Sequence, residues 1–317
     1  MTQSGGTTWV TGAHGFIGRH VVSELAREGE AVAGIGHGAW AEADWRAAGL
    51  TTWLNADVGA ESLTALAQVT GAPRAVIHLA GGSSVALSLR APHEDFQRTV
   101  STSLALLDWL RSFAPRAAAV FVSSAAVYGE GHVGRIAEQA AVAPLSPYGA
   151  HKAMMELACR AFAGNYGLRI VLVRLFSVYG AGLEKQLLWD LCGQLAVGAG
   201  VTLSGTGREQ RDWLHVTDAA RLLVAARGWA GVEDGSLLVL NGGTGIGVEI
   251  RDLAGRFAVA WGNTAPIGFS GAGRAGDPVS LVADVGQLNA RGFRPAVRLD
   301  DGLAGVVSWY RARTRAT

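Results

Sequence analysis

The sequence predicts an α/β protein: a doubly wound parallel sheet with helices on both faces, and a smaller C-terminal α/β lobe. Three observations carry this reading. Short apolar strands alternate with helical patterns as far as residue 176, as βαβ units require. A glycine turn joins the first strand directly to the first helix. The composition is 49% hydrophobic and 17% charged with 44 glycines, which suits a buried sheet with many tight turns. The chain is accordingly divided into residues 1–176, with segments near 208–242 returning to the same sheet, and a lobe made mainly of residues 177–317.

The first strand is Thr7-Thr8-Trp9-Val10, followed by Thr11-Gly12-Ala13-His14-Gly15-Phe16-Ile17-Gly18. Val21, Val22, Leu25 and Ala26 then mark a helix that ends at Gly29. Strand, glycine turn and helix form a Rossmann-like opening, in which the backbone approaches a pyrophosphate and the helix N-terminus faces it. Gly12, Gly15, Phe16, Ile17 and Gly18 are therefore assigned to a dinucleotide, although the spacing is GxxGxxG rather than GxGxxG. The second strand, Ala31 to Ile35, ends in Gly36-His37-Gly38. An NAD site usually carries an acid there for the ribose hydroxyls. None is present, so His37 is expected near a 2′-phosphate, and NADP is favoured over NAD. A third strand, Thr51 to Asn55, precedes Asp57-Val58. Both are placed at the cofactor, Asp57 either accepting from an adenine amino group or capping a helix.

A fourth strand, Ala75 to Leu79, opens into Ala80-Gly81-Gly82-Ser83-Ser84. Small residues leave room for a ligand crossing the sheet edge, so Leu79, Ala80 and Gly81 are assigned to the cofactor and Ser83 to a substrate. His78 reads as a satisfied structural histidine. A helix from Glu94 to Phe113 is expected to bury Phe96, Val100, Leu104, Leu107 and Leu110. The fifth strand, Ala118 to Val122, delivers Ser123-Ser124-Ala125-Ala126-Val127-Tyr128-Gly129. Pro147 then opens a helix within Ser146-Pro147-Tyr148-Gly149-Ala150-His151-Lys152. Its expected apolar stripe is Met154, Met155, Leu157, Ala158, Ala161 and Phe162. Tyr148 and Lys152 are four apart and share one face. A neighbouring ammonium moves a phenol from its ordinary pKa of about 10 toward the working range.

TGAHGFIG, HLAG, SSAAVYG and SPYGAHK, in this order and spacing, resemble the extended short-chain dehydrogenase/reductase superfamily. Within it, the chain looks most like the NAD(P)-dependent nucleotide-sugar epimerases, dehydratases and reductases, over essentially its whole length. The resemblance implies that Ser124, Tyr148 and Lys152 are catalytic. Ser124 would hydrogen-bond the reacting sugar oxygen and Tyr148 would exchange its proton. Lys152 would hold the nicotinamide ribose beside Tyr148 and depress the Tyr148 pKa. Ser177 would contact substrate where the family usually carries Asn, and Thr99 stands where the family often has Asn near the cofactor. Lys185, with Gln186 and Trp189, lies on a helix that borders the nucleotide in this family. Arg211, in Arg211-Asp212-Trp213-Leu214-His215-Val216, and Arg274, in Arg274-Ala275-Gly276-Asp277-Pro278, resemble the two arginines that grip the diphosphate. A guanidinium suits that task through permanent charge and bidentate bonding. Leu237 to Asn241 is expected to be a strand returning to the main sheet. A homodimer through helices 94–113 and 148–166 is also implied.

The dehydratases of this family carry an acidic residue just after the serine position, where this chain has Ala125 and Ala126. Oxidation and reduction at one carbon remain. The expected activity is a nucleotide-sugar 4-epimerase acting by transient C4 oxidation and re-reduction on a nucleoside-diphosphate sugar. An NADPH-dependent 4-keto-sugar-nucleotide reductase is the alternative, and a cofactor-sensing binding protein without turnover is a third reading. A net charge of +1 points away from nucleic acid and anionic membranes. The longest apolar run, Ala117 to Gly129, is too short to span a bilayer. No histidine or cysteine cluster has metal-ligand spacing. Cys159 and Cys192 fall in apolar helical patterns and the N-terminus lacks leader-like regions, so a cytoplasmic location is expected.

Overall fold

The computed structural model describes residues 6–198, 200–231, 237–263, 267–271 and 278–315. It begins with strand Thr8–Thr11 (β1), helix Phe16–Arg27 (α1), Val32–Gly36 (β2), Glu42–Ala47 (α2) and Thr52–Asn55 (β3). Ala60–Thr70 (α3), Ala75–His78 (β4), Val85–Arg90 (α4) and Pro92–Phe96 (α5) follow. A π-helical turn at Gln97–Ser101 leads into Thr102–Phe113 (α6), then Ala118–Ser124 (β5), Arg135–Ile136 (β6), Pro147–Tyr166 (α7) and Arg169–Leu175 (β7). Next come Ser177–Tyr179 (β8), Gln186–Val197 (α8), Val201–Leu203 (β9), Gln210–His215 (β10), Val216–Ala226 (α9) and Leu237–Gly242 (β11). The chain closes with Gly247–Glu249 (β12), Ile250–Trp261 (α10), Ile267–Phe269 (β13), Ser280–Ala283 (β14), Gly286–Ala290 (α11) and Leu299–Arg315 (α12).

Two compact units form. The first comprises Met1–Gly129, Ala141–Leu175 and Ala220–Leu240. Its sheet has the order β11-β7-β5-β4-β1-β2-β3. The pairs β3–β2, β2–β1, β1–β4, β4–β5 and β5–β7 are all parallel. This is the expected doubly wound arrangement, and the strand order reverses between β1 and β4, where such sheets bind ligands at their carboxyl ends. β1, β2 and β4 are buried along their whole length, which is why they read as short, nearly continuous apolar runs. Trp9, Val76, Leu107, Phe121, Met155 and Ile170 belong to one core cluster of this unit.

The second unit comprises Glu130–Ala140, Phe176–Ala219 and Asn241–Thr317. Its strands run β12-β10-β14-β6 with β8 paired to β10, and β13 pairs with β9. Helices α8, α10 and α12 supply Leu191, Phe257 and Leu303 to its core. The segment 130–140 belongs here because β6 pairs with β14. Among the described residues, no helix is long and apolar enough to cross a membrane.

Two apolar stripes differ from expectation. The π turn inserts an extra residue before α6, so Ser103, Leu106, Leu107 and Leu110 face inward. Leu104, expected in the core, is exposed. On α7 the buried face carries His151, Lys152, Met155, Glu156, Cys159 and Ala163. Met154 and Leu157 point outward, because polar groups with buried partners hold the inward positions.

Candidate active site

The carboxyl ends of β1 and β4 are tied together by one hydroxyl. Thr11 Oγ1 accepts from the backbone N–H groups of Leu79 and Ala80, at 3.2 and 3.1 Å. Its own hydrogen therefore goes to His78 Nδ1 at 2.7 Å, which assigns the imidazole proton to Nε2. Nε2 donates to Ser103 Oγ at 2.9 Å, and Ser103 passes its hydrogen to the Thr99 carbonyl at 2.6 Å. Burial pushes the His78 pKa down to about 3, with the Lys152 charge adding to the effect. His78 is a neutral structural strut, as the sequence indicated.

This strut sets the floor for the glycine loop. Gly12 has φ +69°, and a Cβ there would lie 2.9 Å from the Ala80 nitrogen. A Cβ on Gly18 would collide with the Gly12 carbonyl, so both positions require glycine. Phe16 and Ile17 form the first turn of α1 behind this loop. The arrangement leaves the cradle and helix N-terminus that a dinucleotide pyrophosphate fits.

At the exposed end of this surface, His37 Nε2 pairs with Asp57 Oδ1 at 2.7 Å. Gly59, not Asp57, is the residue that caps α3. The Val58 side chain is buried in the core. Trp40 stacks on His14 with ring centroids 4.6 Å apart, Trp53 packs edge-on against Trp40, and the Arg19 guanidinium lies over the Trp40 ring. Sequence reasoning passed over these tryptophans, since nothing in their spacing brings β3 and the loop after β2 together.

Ser124 is the last residue of β5, and its Oγ accepts from the Ala126 N–H at 3.2 Å. α7 begins where Ser146 accepts from the Gly149 N–H at 3.2 Å and Pro147 takes the first helical position. Ser88 also receives the Tyr148 N–H at 3.0 Å. The Ser124 hydroxyl lies near enough to the Tyr148 phenol to favour its ionised form. Lys152 donates to the Val122 carbonyl at 2.9 Å, and its ammonium stands 5.9 Å from the Tyr148 ring centroid. The structure thus brings Ser124, Tyr148 and Lys152 together with the Gly81 backbone.

Their proton affinities differ from the expected pattern. Burial raises the Tyr148 pKa and Asp95 adds to the rise, while the Ser124 hydroxyl opposes it. This direction runs against the expected depression by Lys152, whose ammonium is bonded to a backbone carbonyl. Burial also lowers Lys152 to about 8, opposed chiefly by Asp95. Beneath them, Ser123 and the Arg174 guanidinium both donate to Glu156, and Arg174 also donates to the Tyr128 hydroxyl at 3.0 Å. None of Asp95, Glu156 or Arg174 was singled out from sequence, because each depends on a partner distant along the chain.

Of the remaining expected residues, Ser83 lies in the exposed loop after β4. Ser177, Lys185 and Arg211 belong to the second unit. Ser177 sits opposite Trp213 in the β8–β10 pair, and Arg211 shares a strand face with Trp213. Arg211 is almost fully buried, with Nη1 donating to the Gln210 carbonyl at 2.8 Å. Its neighbour Asp212 is a structural anchor, accepting from the N–H groups of Thr244, Gly245 and Ala283. Lys185 caps α8, burial lowers its pKa, and Gln186 beside it has φ +69°. Trp189 packs on Trp309 and Tyr310. Arg274 lies outside the described residues. Among the described residues, no group of three or more His, Cys, Asp or Glu side chains could hold a metal ion.

Comparison with known proteins adds to this geometry. Residues 8–235 match the model of the NAD dependent epimerase/dehydratase family. A UDP-glucose 4-epimerase of Azospirillum brasilense is 31% identical over 96% of this chain and 91% of its own length. A dTDP-glucose 4,6-dehydratase of an Actinoplanes species is 30% identical over 96% of this chain and 97% of its own. Among solved structures, a UDP-glucose-4-epimerase from Stenotrophomonas maltophila with bound NAD and formylated UDP-arabinopyranose superposes with a TM-score of 0.88. It is 28% identical, covering 98% of this chain and 99% of that one.

Proposed function

The chain belongs to the NAD dependent epimerase/dehydratase family, and from that premise we propose that it is a nucleotide-sugar 4-epimerase. The observation that carries this is the Ser124, Tyr148 and Lys152 set followed by Ala125 and Ala126. Dehydration needs an acid or base beside the serine to act at a neighbouring carbon. Two alanines supply none, although dehydratases are among the relatives. Chemistry at one carbon is what these side chains support.

A bound NAD supplies reversible hydride acceptance at the reacting carbon. The protein handles the proton. Ser124, at the end of β5, and Tyr148, in the first turn of α7, converge on one substrate hydroxyl. Tyr148 Oη takes the C4 hydroxyl proton as that carbon is oxidised and returns it as the carbon is reduced. The Lys152 ammonium stabilises the tyrosinate that stands before this transfer and again once the proton is returned; in the interval Tyr148 is the neutral phenol. Because one Tyr–Lys pair serves both directions, inversion requires only that the ring present its other face. Arg211, with Ser177 on the same strand pair, is assigned to the diphosphate of the sugar nucleotide, and Arg274, Lys185 and Ser83 to the same ligand.

The finer cofactor preference is for NADP(H) binding at least as well as NAD(H). The Asp57 carboxylate, which would repel a 2′-phosphate, is engaged by His37, and Arg19 adds a permanent cation nearby. We also assign a homodimer through the outer faces of α6 and α7, where Leu104, Met154 and Leu157 are exposed, and a cytoplasmic location, in keeping with two free, buried cysteines. The direct test is incubation with UDP-, GDP- and dTDP-hexoses without added reductant, following C4 configuration by NMR. Interconversion supports the epimerase. Oxidation of added NADPH by a 4-keto-6-deoxy sugar nucleotide, with no interconversion of plain hexoses, means a reductase.

A further inference from the structure

Two carboxylates act on the buried Lys152 ammonium: Glu156 one turn along α7, and Asp95 near the end of α5. Glu156 already has its cation. Arg174 donates to both of its oxygens, at 2.9 and 2.6 Å, and Ser123 adds a third bond at 2.5 Å. Asp95 is held differently. Its Oδ2 accepts from His151 Nδ1 at 2.7 Å, and Phe96 packs edge-on against that imidazole. Its Oδ1 lies so close beneath Gly82 that a Cβ there would collide with it. A Cβ on neighbouring Gly81 would stand 3.4 Å from Lys152 Nζ, so one short loop spans both charges.

The other groups facing Lys152 bring no further anion. From β4 comes His78, neutral because burial holds its pKa at about 3. From α7 come Tyr148 and Cys159, both kept protonated by burial. From β5 comes the Val122 carbonyl, and from the π turn the Thr99 hydroxyl, which accepts from the Gly82 N–H at 2.9 Å.

We propose that Asp95, oriented by His151, is a positioning residue: the buried counterion that keeps Lys152 an ammonium and so fit to support Tyr148. The proposal rests on Lys152 serving Tyr148 as described above. An amine moved out of water loses its proton readily unless an anion stands near. Glu156 is matched by the permanent cation Arg174, whereas Asp95 meets the His151 imidazole with Oδ2 and turns Oδ1 toward the Gly81–Gly82 loop beside Lys152. His151 is next to Lys152 on the same helix, so it locks the carboxylate from the element that carries the ammonium. The same anion disfavours tyrosinate, so the pair trades ease of deprotonation at Tyr148 for a lasting charge at Lys152.

Lysine occurs only at 152 and 185, which makes the test direct. Protein labelled with ¹³C at lysine Cε gives two resonances to follow against pH, and Lys185→Arg identifies that of Lys152. The wild-type midpoint is expected at about 8. Asp95→Asn should lower it measurably, the direction expected when a nearby buried carboxylate is removed. His151→Gln, which keeps a donor to Asp95, should leave it near the wild-type value. His151→Arg places a fixed cation against Asp95 and should also lower it, a second reading that stands if Asp95→Asn does not fold. A midpoint unmoved in Asp95→Asn, or in His151→Arg, overturns the proposal. The titration needs no substrate. A shifted midpoint in a protein that inverts no sugar would therefore overturn the epimerase reading and leave the counterion standing.

Discussion

Lys152 donates to the Val122 carbonyl at 2.9 Å, two residues before Ser124 on the same strand. The end of β5 thus fixes both the hydroxyl proposed to meet the substrate and the cation proposed to back the tyrosine. A strand buried on both faces makes this a rigid frame, and α7 brings Tyr148 to it from its first turn.

Tyr148→Phe removes the transferable proton and little else. Turnover should fall by about a thousandfold or more, in the range of general acid–base contributions. Cofactor affinity, measured by fluorescence titration, should stay within a few-fold. Near-normal activity would remove Tyr148 from the chemistry.

Arg211→Ala should weaken a nucleoside-diphosphate sugar far more than the dinucleotide. Charge-assisted bonds to phosphate contribute roughly 1.5–3 kcal/mol, so a loss of about ten- to a hundredfold is expected by calorimetry. Equal losses for both ligands would place Arg211 in neither role.

Much of this was legible in the sequence, and the reason is physical. β1, β2, β4 and β7 are short apolar runs because both faces of the sheet are covered, and the glycine loop is local chemistry. Tyr148 and Lys152 could be paired because helical periodicity puts residues four apart on one face. What escaped depended on distant partners. The α7 stripe was misplaced because His151, Lys152 and Glu156 look solvent-facing until Asp95, Val122 and Arg174 are known to meet them. Leu104 was misplaced by a single extra residue in the π turn, which no apolar period announces. β6 is two residues long and gains its identity only from pairing with β14.

His78 links pH to stability. Its folded pKa of about 3 lies below the ordinary 6.5, so the unfolded chain binds the proton first as pH falls. Its contribution is complete above pH 6.5 and is lost progressively as pH falls toward about 3. His78→Leu should cost about 1–3 kcal/mol at pH 7.5, by orphaning the Thr11 and Ser103 hydroxyls, and should flatten that acid dependence. Thermal unfolding across this pH range is the check. An unchanged slope in the variant would contradict the buried neutral imidazole.

Titration of the cofactor-free protein with NADP(H) and NAD(H) tests the surface around His37 and Arg19. NADP(H) should bind at least as well. NAD(H) tighter by about tenfold, roughly 1.4 kcal/mol, would show that Asp57 repels the 2′-phosphate after all.

The measurement that bears most directly on C4 chemistry uses a UDP-hexose carrying deuterium at C4, incubated without added reductant. Transient oxidation and re-reduction at that carbon predicts inversion with the deuterium retained at C4 and no net consumption of cofactor. Inversion with loss of the label to solvent, or no inversion while added NADPH is oxidised by a 4-keto sugar nucleotide, would contradict it.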